Sequence, residues 1–232
     1  MVYLSQVALN PRSPSVGRAL GDLYALHQWV YRAFAGEGSG DAGRVLFRVD
    51  GARAGGPPSL LVQSERAPDW GRLEGEVGCV HGPKVWQPRL EAGQRLRFRL
   101  RASPTKRVAL PREDPKRGHQ RRGLLTRLEQ AGWLARQGER CGFALCGPPA
   151  GWFDAFGGAE PDVAVQITAL GHLKGHKPPS EAGGACTVTH LAVDFDGLLR
   201  VTDPAALAAA VAAGIGPGKG FGLGLLSLAR AD

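Results

Sequence analysis

The sequence predicts an α+β chain built as two units in tandem, and three observations carry that prediction. Strand and helix signals alternate along all 232 residues, as β-α-β-β-β in the first half and α-β-β-α-β in the second. A polar, strongly basic stretch separates the two series. Hydrophobic residues are 43% and charged ones 22%, which excludes a wholly disordered chain and leaves enough apolar material for a sizeable core. The expected division is 1–103, a basic linker over 104–123, and 124–232, each unit resembling a split βαβ arrangement.

Val2–Leu9 reads as a strand, broken by Asn10-Pro11. Asp22 is a good N-cap for a helix over Leu23–Phe34, where Leu23, Leu26, Val30 and Phe34 step by three and four into one apolar stripe. The glycines of 36–43 end that helix. Val45–Val49 and Ser59–Gln63 are β-rich runs joined by a Gly/Pro turn, and Pro68–Pro88 reads as irregular with room for one short element. Arg95–Arg101 alternates strictly, with Arg95, Arg97, Arg99 and Arg101 on one face and Leu96, Phe98 and Leu100 on the other. Period two means a strand with one buried and one all-arginine face. Ser103–Gly123, with three prolines, reads as a linker or long surface loop. Leu124–Gln137 is helical, Val163–Leu170 a strand, Gly171–Gly184 a loop and Cys186–Phe195 a strand, so the last three form a long hairpin that ends at an Asp196-Gly197 turn signal. Asp203-Pro204 starts a helix over Pro204–Ala213, and Gly222–Leu228 is a closing strand.

The net charge is +8, and its distribution narrows the function classes. Between Arg89 and Arg127 there are 13 basic and 3 acidic residues, against 16 and 18 elsewhere. So concentrated an excess is the electrostatic footprint of a polyanion, and nucleic acid is the expected partner over a merely solvated surface. No run of 18 apolar residues exists, so no membrane span is expected, and Met1–Gln6 has no basic n-region, so a cytoplasmic location is expected. Four cysteines do not make a disulfide framework.

Two constellations could carry chemistry. At about 100° per residue, Tyr24, His27 and Tyr31 fall in one sector beside the apolar stripe, with Gln28 and Arg32 next around the surface. An imidazole beside a phenol suits acid–base work near neutrality, although an ordinary helix-edge histidine has the same pattern. The run from Gly214 to Gly224 contains Gly218-Lys219-Gly220, a loop whose amides and lysine could contact phosphate or whose glycines could simply pack. It matches neither the P-loop nor the dinucleotide fingerprint. Cys141, Cys146, His172 and His176 loosely imitate a zinc set, but without a Cys-x-x-Cys no metal is expected. Acidic residues are scattered, which argues against a two-metal nuclease, and no cofactor motif is present.

Four segments in order resemble one family: Tyr3-Leu4-Ser5-Gln6-Val7-Ala8-Leu9-Asn10-Pro11; Asp22-Leu23-Tyr24-Ala25-Leu26-His27; Leu96-Arg97-Phe98-Arg99-Leu100-Arg101-Ala102-Ser103-Pro104-Thr105-Lys106; and Gly214 through Ala229. The chain resembles CasE, the endoribonuclease of the RAMP superfamily that processes CRISPR RNA in type I-E systems. The resemblance implies two tandem ferredoxin-like (βαββαβ, RRM-like) domains. It also implies metal-free cleavage of the repeat RNA stem-loop in CRISPR precursors, with no cofactor, and retention of the product as a subunit of the Cascade complex. It assigns His27 and Tyr24 to catalysis, with Arg32 a weaker match, and makes the 171–184 hairpin, with Lys174 and Lys177, the element that enters the stem groove. Arg95, Arg97, Arg99, Arg101, Lys106, Arg107, Lys116, Arg117, Arg121, Arg122, Gly218, Lys219 and Gly220 complete the expected RNA contacts. A non-catalytic RNA-binding subunit of the same fold is the main alternative, and a metal-stabilised DNA-binding module the second.

Overall fold

The computed structural model describes residues 1–34, 42–51, 56–109, 119–147, 165–179 and 184–231. The first unit opens with β1 (Val2–Leu9), followed by helices α1 (Pro14–Gly21) and α2 (Leu23–Tyr31). A 3-10 turn over Arg32–Phe34 extends α2, so the expected helix is present but tightens in its last turn. Then come β2 (Val45–Asp50), β3 (Ser59–Ser64) and β4 (Val77–Trp86). All pairings are antiparallel, in the order β2-β3-β1-β4. That is the ferredoxin-like arrangement, with a 3-10 turn at Trp70–Leu73 where a second helix would stand.

The second unit repeats the same order. Its strands are β5 (Arg95–Ala102), β8 (Phe143–Cys146), β10 (Cys186–Val201) and β11 (Leu226–Arg230), ordered β11-β5-β10-β8, with helices α3 (Arg127–Cys141) and α4 (Pro204–Ala213). Two hairpins are inserted into this frame. One is β6 (Thr105–Ala109) with β7 (His119–Gly123). The other forms where β9 (Val165–Lys177) pairs with β10 beyond the stretch that β8 occupies. Among the described residues no helix is long and apolar enough to cross a membrane.

Several sequence expectations are corrected here. The arginine strand β5, expected to close the first unit, is the first strand of the second, hydrogen-bonded to β10 and β11. The basic 104–123 stretch is accordingly an insertion within the second unit, and its described ends form a hairpin rather than a linker. Pro68–Pro88 is not irregular, since it contains the ten-residue β4. That strand gives no sequence signal because it lies at a sheet edge, largely exposed, with no alternating pattern, and an edge tolerates Pro83. The short helix α1 and β8 are likewise additions to the expected elements. Of the expected 171–184 loop, residues 171–177 belong to β9 and residues 180–183 lie outside the described residues, and Asp196-Gly197 lies inside β10 opposite Arg99 and Phe98. The turn signal is overridden there by strand pairing on both sides, with Arg99 and Phe98 of β5 and with Gln166 and Val165 of β9. The glycines at 36–41 and the turn residues 52–55 lie outside the described residues.

Each unit has its own core. Val30, Phe47, Leu60, Val62 and Leu73 are fully buried in the first, with Trp29 beside them. Phe98, Leu100, Leu134, Phe195, Leu199 and Leu207 fill the second. Each such side chain contributes about 2 kcal/mol relative to exposure. The alternation of β5 is as predicted, with Leu96, Phe98 and Leu100 facing this core. Capping follows local chemistry. Asp22 caps α2, Asp203 caps α4, and Thr126 with Glu129 forms a reciprocal capping box on α3.

The units meet along polar contacts. The Arg48 side chain, almost fully buried, donates to Asp50 and to Ser227 Oγ of β11 (2.9 Å). Arg101 Nη1 donates to the Val49 carbonyl (2.7 Å), and Gln63 Nε2 donates to the Val211 carbonyl of α4 (2.8 Å). Such groups are acceptable in an interior because they are paired.

Helix α2 is pinned from behind by Glu76. Its carboxylate accepts from Trp29 Nε1 (2.6 Å), from Arg32 Nη2 (2.8 Å) and from Ser15 Oγ. Burial alone would raise the Glu76 pKa, but the donors from Arg32, Ser15 and Trp29 outweigh it and hold the carboxyl at about 2. The folded value lies below the ordinary 4.5, so this stabilisation is complete above pH ~4.5 and is lost as pH falls toward about 2. Glu76→Gln should therefore lower unfolding free energy by about 2 kcal/mol at pH 7 and flatten the acid limb of the stability profile, measured by urea unfolding from pH 2 to 7. An unchanged acid limb would refute the assignment.

Candidate active site

Helix α2 turns its Leu23, Leu26, Trp29 and Val30 face inward. The neighbouring sector carries Tyr24, His27 and Tyr31, all half-buried. The ring of His27 stands 4.3 Å from Tyr31 and 6.4 Å from Tyr24, centroid to centroid. His27 Nδ1 lies 2.8 Å from the carbonyl oxygen of Gly220. A carbonyl can only accept, so Nδ1 carries the hydrogen and Nε2 is left as the nitrogen able to exchange a proton.

Gly220 lies in a 3-10 turn over Lys219–Phe221, within the glycine run. At Gly218 φ is +80°, and a Cβ would come within 2.8 Å of Leu223 and 3.2 Å of the His190 ring, so any side chain there is strained and crowds both. Gly224, at φ +88°, donates its N–H to the Arg101 carbonyl (2.7 Å), which ties the run to β5. The glycine loop, the arginine strand and the His27 helix are thus joined in one place, although 193 residues separate His27 from Gly220.

Three groups absent from the expected set complete the surroundings. Phe221 lies between two imidazoles, 6.1 Å from His27 and 5.6 Å from His190 of β10. Burial, aided by the charge of Arg121, lowers the His190 pKa and favours its neutral ring. Arg44 acts on both Tyr31 and Lys219. Burial raises the Tyr31 pKa against the pull of Arg44, while burial and Arg44 together lower that of Lys219. His190 is a lone histidine in an alternating strand and Arg44 a lone arginine beside a glycine, so neither carried a sequence signal.

The other expected residues divide into groups. Arg32 is not brought to His27. Its guanidinium is held by Glu76, and Trp29, which shares that carboxylate, stands about 200° around the helix from His27. Arg99 and Arg101 are paired with Asp196 and Asp194, which lie opposite them in the β5–β10 register. The stacked arginine charges are therefore partly neutralised within the fold. Arg95 and Arg97 are exposed on the same strand. On the β6–β7 hairpin, Lys106 reaches Glu129 (3.3 Å), while Arg107, Arg121 and Arg122 are exposed. Lys116 and Arg117 lie outside the described residues. Lys174 and Lys177 are exposed on β9. Cys141 ends α3, Cys146 lies on β8, and His172 and His176 lie on β9, with His176 bonded to Asp22.

Comparison with known proteins places this geometry. Over 228 residues the chain is 36% identical to the CRISPR-associated endoribonuclease Cse3 of Thermus thermophilus, covering 98% of this chain and all of that protein. Its fold matches a structure of CRISPR endoribonuclease Cse3 bound to a 19-nucleotide RNA, with a TM-score of 0.79 and 36% identity over 98% of this chain and 100% of that one. It also matches Cas6e of Escherichia coli K-12, with a TM-score of 0.67 and 26% identity over 99% and 100% of the two chains. The model of the CRISPR associated protein family matches residues 2–230, so this chain belongs to that family.

Proposed function

We propose that this chain is a metal-independent endoribonuclease that cuts CRISPR precursor RNA within the repeat stem-loop and then keeps the product as a subunit of a cytoplasmic Cascade complex. The observation that carries this reading is the His27 ring, oriented by Gly220 and set between Tyr24 and the glycine loop. The relative named Cse3 is an endoribonuclease, and one of its structures holds an RNA representing a pre-cleavage complex, which supports the same activity here.

The groups present support the following chemistry. The substrate's 2′-oxygen attacks the adjacent phosphorus, the bond from phosphorus to the 5′-oxygen breaks, and a 2′,3′-cyclic phosphate and a 5′-hydroxyl result. One proton leaves the 2′-hydroxyl and one reaches the 5′-oxygen. His27 Nε2 performs one of these transfers, and Tyr24 orients the reacting oxygens or performs the other. Lys219 and the loop amides offset charge on the phosphorane, a role for which Arg32, held by Glu76, is not positioned. Carboxylates nearby are already committed: Asp22 to helix amides and His176, Glu76 to three donors, and Asp194 and Asp196 to arginines. A two-metal site would need such carboxylates to converge.

His27→Ala should slow single-turnover cleavage of repeat RNA by about 10²–10⁴-fold, with RNA affinity retained. Wild-type protein should cut in EDTA and fail on RNA with a 2′-deoxy nucleotide at the cut. Cleavage of the deoxy substrate, or dependence on added Mg²⁺, would end the 2′-hydroxyl mechanism. Tight binding with no product would favour a non-catalytic RNA-binding subunit.

The charge pattern gives a second outcome. Replacing Arg121 and Arg122 by Gln should weaken binding and reduce the slope of log affinity against log salt by about 1–2. Arg101→Gln should leave that slope nearly unchanged while lowering stability, because Asp194 and the Val49 carbonyl already occupy its guanidinium. Equal slopes in all three proteins would remove the hairpin from the RNA interface.

A further inference from the structure

Asp22 does more than cap a helix. Its Oδ1 accepts from the N–H groups of Tyr24 (2.8 Å) and Ala25 (2.9 Å) in the first turn of α2. Its Oδ2 accepts from the backbone N–H of His176 (2.9 Å) and lies 2.6 Å from His176 Nδ1 on the inserted hairpin. A carboxylate at neutral pH only accepts, so His176 Nδ1 is the donor. Burial would raise the Asp22 pKa, but the amide and His176 donors outweigh it and keep the group ionised.

The surrounding packing is as close as the hydrogen bonding. A Cβ on Gly175 would stand 2.9 Å from the Tyr24 nitrogen and 3.0 Å from Leu23 Cβ, so the hairpin backbone presses directly on the start of α2. Gly175 pairs with Val188, and two residues along the same face Leu173 pairs with His190, the ring that touches the glycine loop. A bulge at Leu170, with Gly171 at φ +87°, bends the hairpin just before this contact. His27 follows Asp22 by five residues, about 7.5 Å along the helix.

We propose that the Asp22–His176 pair is a clamp that positions the catalytic helix against the β9–β10 hairpin, so that a stem seated on the hairpin is held in register with His27. Both are positioning residues, and the inference rests on the RNA-processing reading above. The hairpin carries exposed Lys174 and Lys177 on the strand that supplies His176, so stem contacts and the clamp share one rigid element. A small misplacement of reacting groups costs large factors in rate while leaving binding intact. An Asp22 that served only as a cap would make His176 dispensable.

The test uses full-length protein and a repeat stem-loop RNA. His176→Ala leaves the cap intact, and Asp22→Ser keeps a capping oxygen that is too short to reach the hairpin. Each should slow single-turnover cleavage by about tenfold or more, Asp22→Ser the more because it also loses the backbone bond from residue 176, with dissociation constants within about twofold of wild type, and the double variant should be no slower than Asp22→Ser. His176→Asn, whose side-chain amide nitrogen stands near the place of Nδ1, should recover most of the rate. Wild-type rates in His176→Ala, or additive losses in the double variant, overturn the clamp. Amide hydrogen exchange supplies a readout independent of cutting. RNA should slow exchange at Tyr24 and Ala25 in wild type but not in His176→Ala, while β9 stays protected in both. A wild type that binds RNA without cutting it refutes the endoribonuclease reading alone, and the exchange pattern then decides the clamp.

Discussion

The hydrogen bond from His27 Nδ1 to the Gly220 carbonyl is the contact on which the site depends. It joins a helix of the first ferredoxin-like unit to a loop of the second. Neither unit holds the constellation alone, because the tyrosines belong to one and the glycine amides and Lys219 to the other. The bond also fixes the tautomer, with the hydrogen on Nδ1 and Nε2 left as the acceptor nitrogen. Anything that shifts the two units relative to each other acts first on this contact.

The docking that protects it is polar. The buried guanidinium of Arg48 reaching Ser227, the bond from Arg101, itself paired with Asp194, to the Val49 carbonyl, and the Gln63 bond to Val211 span the seam. Buried pairs of this kind contribute little net stability compared with apolar packing, but breaking one partner leaves a charge unpaired. They therefore favour one relative placement of the sheets over its neighbours. The glycine loop adds shape to charge, since Gly214 lies against Leu46 and Gly222 against Phe47, where any larger residue would push the units apart.

Much of this was legible in the sequence. Period-two alternation located β5, and stepwise apolar spacing with Asp22 located α2, because both elements bury one face against a core. The order of elements was right for a duplicated α+β fold, yet the unit boundary was placed after β5 rather than before it. Sequence position cannot reveal which sheet a strand will join, and that pairing is settled by Leu96, Phe98 and Leu100 packing with the second core. β4 was allowed for only as one short element within 68–88, for want of a buried face, and β8 left no trace because it is only four residues long. His27, Tyr24 and the glycine loop stood out as candidates by residue type and gained roles only through the family resemblance, whereas His190, Phe221 and Arg44 become their neighbours only through tertiary contact.

The arginine strand shows how charge read along a sequence differs from charge presented by a fold. Four arginines on one face of a strand repel unless something answers them. The sequence reading supplied a polyanion for that purpose, but β10 supplies Asp194 and Asp196 at the matching register positions. With Arg99 and Arg101 answered internally, the positive field of this region falls more heavily on the β6–β7 hairpin, where Arg107, Arg121 and Arg122 are exposed. Arg121 lies close enough to His190 to lower its pKa, so the hairpin extends the cationic surface to the edge of the His27 site instead of linking two domains. A phosphate backbone drawn to that surface would be led toward the glycine loop, and the inserted hairpin would then steer substrate, while Arg101 of β5, bonded to the Val49 carbonyl, helps hold the two units in place.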